Sequence, residues 1–143
     1  MRHLMLPLFL CLVFTISPVA KAETDTMEKM EKAAMSPKVI ALIYHADWCG
    51  SCKVLGPNVK EARAEAGLDG KEVVFVKMDF TDETTIAQSE MLARALGLGA
   101  AFEANNNKTG YMALFDAQSY EELGRIDKTM NSAAIATMIN SKL

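Results

Sequence analysis

The chain has 143 residues, half of them hydrophobic, with 15 Lys and Arg against 18 Asp and Glu and a net charge of −3. That length allows one domain around a single core. No basic stripe runs through it, so the electrostatic footprint of nucleic-acid binding is absent.

The first 22 residues read as a secretory signal peptide. Arg2 and His3 precede an apolar run over 4–16, and Ala20-Lys21-Ala22 supplies a small-residue cleavage site. The run is short for a bilayer span, which takes about 20 apolar residues. No stable membrane insertion is therefore expected after cleavage, a retained N-terminal anchor being the alternative. Cys11 lies in this run without the small residues of a lipoprotein signal before it and is read as discarded filler. Cleavage takes away two basic residues and no acid, leaving 121 residues, a net charge of −5 and two cysteines. Export together with a lone cysteine pair points to an oxidising compartment such as a bacterial periplasm.

Over 23–37, Met27, Met30, Ala34 and Met35 recur near helical spacing. This predicts either a short amphipathic helix ending before Pro37 or a loosely docked leader. The domain proper is expected over 38–143. Residues 39–44 are a continuous β-prone apolar run, expected as a strand buried on both faces. A helix follows over 49–66, with Pro57 inside it as a kink, and Gly67 and Gly70 bracket a turn. Residues 72–80 read as a second buried strand. The stretch 84–96 reads as a helix with Ile86, Met91, Leu92, Ala95 and Leu96 on its inner face, terminated by Gly97 and Gly99.

Residues 103–110, with three consecutive asparagines, are expected as a loop. A third strand over 111–115, a turn over 116–119 and a fourth strand over 121–126 follow. A helix over 129–142 closes the chain, turning Ile135, Met138 and Ile139 toward the sheet. Of the ten methionines, Met1 and Met5 belong to the signal and most of the others fall at core-like positions and are read as packing.

The chemistry concentrates in Trp48-Cys49-Gly50-Ser51-Cys52-Lys53. A bare Cys-x-x-Cys fits half a zinc site as well as a redox pair. Here a strand precedes it, Ala46-Asp47-Trp48 leads into it, and Gly56-Pro57 follows one turn later. The segment resembles the redox-active motif of the thioredoxin superfamily. The resemblance covers most of 38–143, with its specific residues confined to about 44–57. It implies an α/β thioredoxin fold, a central mixed sheet flanked by helices in the order β-α-β-α-β-β-α. The active site then lies beyond a carboxyl strand end.

At a helix N-terminus, free backbone N–H groups and the macrodipole favour a thiolate at Cys49. Such cysteines have pKa values of roughly 3.5 to 7.5, against about 8.5 for a free thiol. Cys52, three residues on, returns to the same helix face and can form a disulfide with Cys49. The resemblance implies that Cys49 is the nucleophile and Cys52 the resolving thiol. Trp48, Gly50, Ser51, Thr109 and Gly110 then shape the surface that meets a protein dithiol or disulfide, and a redox partner is implied without a cofactor.

Two positions depart from the family pattern. Thioredoxins carry a buried Asp six residues before the first cysteine, as proton acceptor for the second thiol. Ile43 stands there, and no other base is obvious in the sequence, Lys77 being expected to face outward. The family's cis-proline before the third strand falls on Gly110, and no proline occurs after Pro57. A non-proline cis bond costs about 2.5–4 kcal/mol, so a trans Thr109–Gly110 bond is expected, with a more open loop and a less shielded dithiol.

Other readings of the same residues stay open. His45, Cys49 and Cys52 offer an imidazole and two thiolates, a set suited to copper(I) or zinc, which would make a metal-handling or cofactor-maturation protein. The plainer account of His45 is packing in place of an aromatic residue. A thioredoxin-fold interaction module with an inactive disulfide is the remaining alternative. Tyr44 is expected in the core.

Overall fold

The computed structural model describes residues 37–70 and 72–143. The expected signal peptide over 1–22 and, apart from Pro37, the expected helix or leader over 23–37 lie outside the described residues. The elements are β1 (Val39–His45), α1 (Gly50–Glu65), β2 (Val73–Asp79), α2 (Glu83–Ala95), α3 (Gly99–Asn105), β3 (Tyr111–Asp116), β4 (Glu122–Asp127) and α4 (Ser132–Asn140). One sheet has the order β2-β1-β3-β4. The helical crossover through α1 makes β2 parallel to β1. The hairpin β3–β4 runs antiparallel, and β3 is antiparallel to β1. This is the expected thioredoxin fold.

β1 is central, and its sequence shows why. Its apolar run supplies both faces, and the two-residue period sorts it into two cores. Ile40, Leu42 and Tyr44 pack with Phe80, Phe102 and Phe115 on the side of α2 and α3. Val39 and Ala41 pack with Leu55, Val59, Ile135 and Ile139 on the side of α1 and α4. Ile135 and Ile139 of α4 are fully buried, with Met138 half-buried beside them.

Three expectations are corrected. β2 is an edge strand, not a strand buried on both faces, and Val74 is 41% exposed on it. The inner face of α2 is carried by Ser89 and Ala93, with Ile86 and Leu96 packed on the core beside them as expected, while Met91 is 73% exposed and Leu92 and Ala95 also face solvent. Ser89 explains the rotation. Its hydroxyl accepts from the Asp79 amide at 2.7 Å and donates to the Asp79 carbonyl at 3.1 Å, which satisfies the end of the edge strand.

The third correction is α3. Gly97 does end α2, but Gly99 opens a further helix that takes the first three residues of the expected loop. Ala100, Ala101 and Ala104 favour helix, and Phe102 stacks on Phe80 at 5.1 Å between ring centres. The asparagines then serve as its exit. Asn105 is buried, accepts from the Tyr111 hydroxyl and donates to the Lys108 carbonyl. Asn106 and Asn107 take left-handed backbone, which asparagine tolerates.

Candidate active site

The end of β1 and the start of α1 build the site. Cys49 is the N-cap of α1, held by its own amide donating to the Ala46 carbonyl at 3.1 Å. Its sulfur accepts from the Cys52 amide at 3.1 Å, so an unpartnered helix donor points at the atom expected to carry charge. Cys49 and Cys52 form a disulfide, with Cα atoms 5.3 Å apart. The Cys52 sulfur lies 3.8 Å from the Tyr44 carbonyl, and both cysteines are buried, at 5% and 7% exposure.

The 109–110 loop closes over this pair. The Gly110 amide donates to the same Tyr44 carbonyl at 2.8 Å, extending the β1–β3 pairing to the rim of the site. No cis peptide occurs among the described residues, so the Thr109–Gly110 bond is trans. Gly110 has φ +88°, and a Cβ built on it would lie 2.6 Å from Ser51 Cβ and 3.3 Å from Cys49 Sγ. The expected open loop is therefore corrected. Glycine brings bare backbone against the disulfide and shields it without a ring.

Trp48 is 64% exposed beside Cys49. Its indole N–H donates to the Thr81 carbonyl at 3.2 Å, and the Thr81 hydroxyl accepts from the Asp47 amide at 3.1 Å. Thr81 in turn donates through its amide (3.0 Å) and hydroxyl (2.5 Å) to Asp79, whose other oxygen meets Lys77 at 2.8 Å. Burial pushes the Asp79 carboxyl up, but the hydrogen bonds from Lys77 and Thr81 outweigh it and hold the pKa at about 2. Asp79 and Thr81 were not singled out by the sequence. Their short Asp-x-Thr spacing at a strand end is the only signal they leave.

Gly50 is exposed at the first turn of α1, and Ser51 and Thr109 are half-buried at its edge. Ile43 is half-buried and pairs in register with Lys77, which is exposed as expected. His45 Nε2 lies 3.2 Å from Asp47 Oδ1. Among the described residues, no group of three His, Cys, Asp or Glu side chains is arranged to hold a metal ion.

A family model described as Thioredoxin matches residues 19–94, just over half of the chain. This chain belongs to the thioredoxin family. It is 31% identical over 84 residues to chloroplastic thioredoxin F2 of Arabidopsis thaliana, covering 59% of this chain and 40% of that protein. It is 34% identical over 58 residues to protein disulfide-isomerase of Gallus gallus, covering 41% of this chain and 11% of that protein. Both relatives are thus matched over well under two thirds of their length. Among solved structures, a putative protein disulfide isomerase from Bacteroides thetaiotaomicron shares the fold at a TM-score of 0.50 and 18% identity. That match covers 78% of this chain and 77% of the other.

Proposed function

We propose that this protein is an exported thiol–disulfide oxidoreductase acting on other proteins. The observation that carries the reading is the Cys49–Cys52 disulfide set at the first turn of α1, with the Cys52 amide donating to the Cys49 sulfur. Family membership and the Trp48 face beside the pair support it. In the reducing direction, the Cys49 thiolate attacks one sulfur of a substrate disulfide and the other sulfur leaves as a thiolate. Cys52 gives up its proton and attacks Cys49, releasing the second substrate thiolate and closing the internal disulfide. Two electrons pass to the substrate. The oxidising direction is the same sequence reversed.

The helix donor aimed at Cys49 favours its thiolate both as nucleophile and as leaving group. Trp48 offers a flat apolar face to an incoming peptide. Export rests on the signal-like segment over 1–22, and a bacterial periplasm is the compartment that fits it.

Insulin reduction by the reduced protein, with the reduction potential measured against glutathione, tests the activity and fixes its direction. A folded protein that exchanges with neither would end the reading. Sequencing the N-terminus of the secreted protein tests export, with the mature chain expected to begin at Glu23.

A further inference from the structure

Behind the dithiol, on the side of the sheet covered by α3, lies a cavity of about 120 Å³. Tyr44, Tyr111, Lys108 and Arg125 line it together with an apolar wall that includes Ala113 and Phe115. Its size is close to the roughly 150 Å³ that holds a benzene ring, or about four waters at ~30 Å³ each.

The hydrogen-bonding capacity of the lining is lopsided. Tyr44 is 2% exposed, its ring stacked on Tyr111 at 4.7 Å, and its hydroxyl has no hydrogen-bond partner among the described residues. Tyr44 is one of the residues lining the cavity. Arg125 gives its Nε and one terminal nitrogen to Glu122, at 2.5 and 2.9 Å, and lies over the Tyr111 ring. Its other terminal nitrogen has no acceptor among the described residues, and the Lys108 ammonium makes no ion pair there. The acceptors are already spent, Glu122 on Arg125 and Asn105 on Tyr111. What remains free is three donors and one net positive charge beside an apolar wall. Lys108 and Arg125 both reach solvent, so the cavity presents its donors and its positive charge to an anion arriving from outside.

We propose that this cavity is a binding site for a small carboxylate with a short apolar tail. Its carboxylate accepts from the Tyr44 hydroxyl, Arg125 and Lys108, and its tail lies against Ala113 and Phe115. The site is independent of the dithiol chemistry and stands or falls without it.

The test is NMR titration of the oxidised full-length protein with propionate, propionamide and inorganic phosphate. Propionate is expected to shift the Tyr44, Tyr111 and Ala113 signals along one saturable curve. Propionamide should bind at least about tenfold more weakly, because a charge-assisted contact is lost. Tyr44→Phe should weaken propionate about threefold to tenfold. Lys108→Gln, at an exposed position that leaves folding untouched, should weaken it as well. Absence of saturable shifts overturns the site. Equal binding of propionamide, or of phosphate, overturns the carboxylate class. Equal affinity in Lys108→Gln and Tyr44→Phe overturns the assigned contacts.

Discussion

Gly110 shows how one residue can settle the shape of the rim around a disulfide. Its φ of +88° and its approach to Ser51 leave no room for a side chain. Gly110→Ala is expected to cost about 2–3 kcal/mol in urea unfolding, from left-handed backbone and overpacking together. Adding Ser51→Gly should return part of that loss, since the nearest obstacle disappears. Strictly additive effects would show that the two residues do not touch. Proline at 110 is worse placed still, because it fixes a negative φ and removes the amide that bonds Tyr44. Asp79 offers a second measurement at this scale. Its carboxyl is held at about 2 against an ordinary 3.8. A lowered carboxylate pKa contributes stability above the unfolded value, and that stability is lost as pH falls through the folded one. Asp79→Asn should therefore destabilise by about 1 kcal/mol near neutrality, allowing for solvent screening. The gap from wild type should close between about pH 4 and pH 2, and a gap constant with pH would refute the assignment.

The first turn of α1 carries the prediction at the scale of elements. Cys49→Ser should abolish exchange, because it removes the sulfur that the helix donor addresses. Cys52→Ser should leave attack intact and accumulate mixed disulfides, visible by mass mapping. Preferential alkylation of Cys52 in the reduced protein near neutral pH would reverse the two roles. This motif was legible in the sequence because its chemistry is local: six consecutive residues after a strand. β1 was equally legible, since a run of β-branched and apolar residues has one good place in such a sheet. The exit of α3 was not. Three asparagines read as a loop, whereas two of them turn the chain out of a helix whose anchor, Phe102, is chosen by Phe80 just past the end of a distant strand. The orientation of α2 was hidden for a similar reason, since Ser89 faces inward to serve the backbone of Asp79. Nor does sequence register that the Tyr44 carbonyl accepts from Gly110 and lies beside the Cys52 sulfur, because backbone groups leave no trace in residue identity.

At the scale of the whole molecule, the two cores on either side of β1 carry the fold, and the disulfide carries little of it. Chain-entropy reasoning gives a loop this short about 2 kcal/mol or less. Reduction should lower the unfolding free energy by no more than that, measured by urea titration with and without a dithiol. Cooperative collapse of the fold on reduction would mean that the bond is a structural staple. A protein that cycles between two redox states needs this separation of duties, with the aliphatic cores unchanged while two sulfurs gain or lose electrons. For the proposed redox cycle, Trp48 supplies an observable. It is the chain's single tryptophan, and it stands beside the disulfide on a rigid anchor to Thr81. An excited indole gives up an electron readily to a neighbouring S–S bond and far less readily to thiols. The emission of this one ring is thus an optical gauge of the dithiol's state, written into the native chain without any added label.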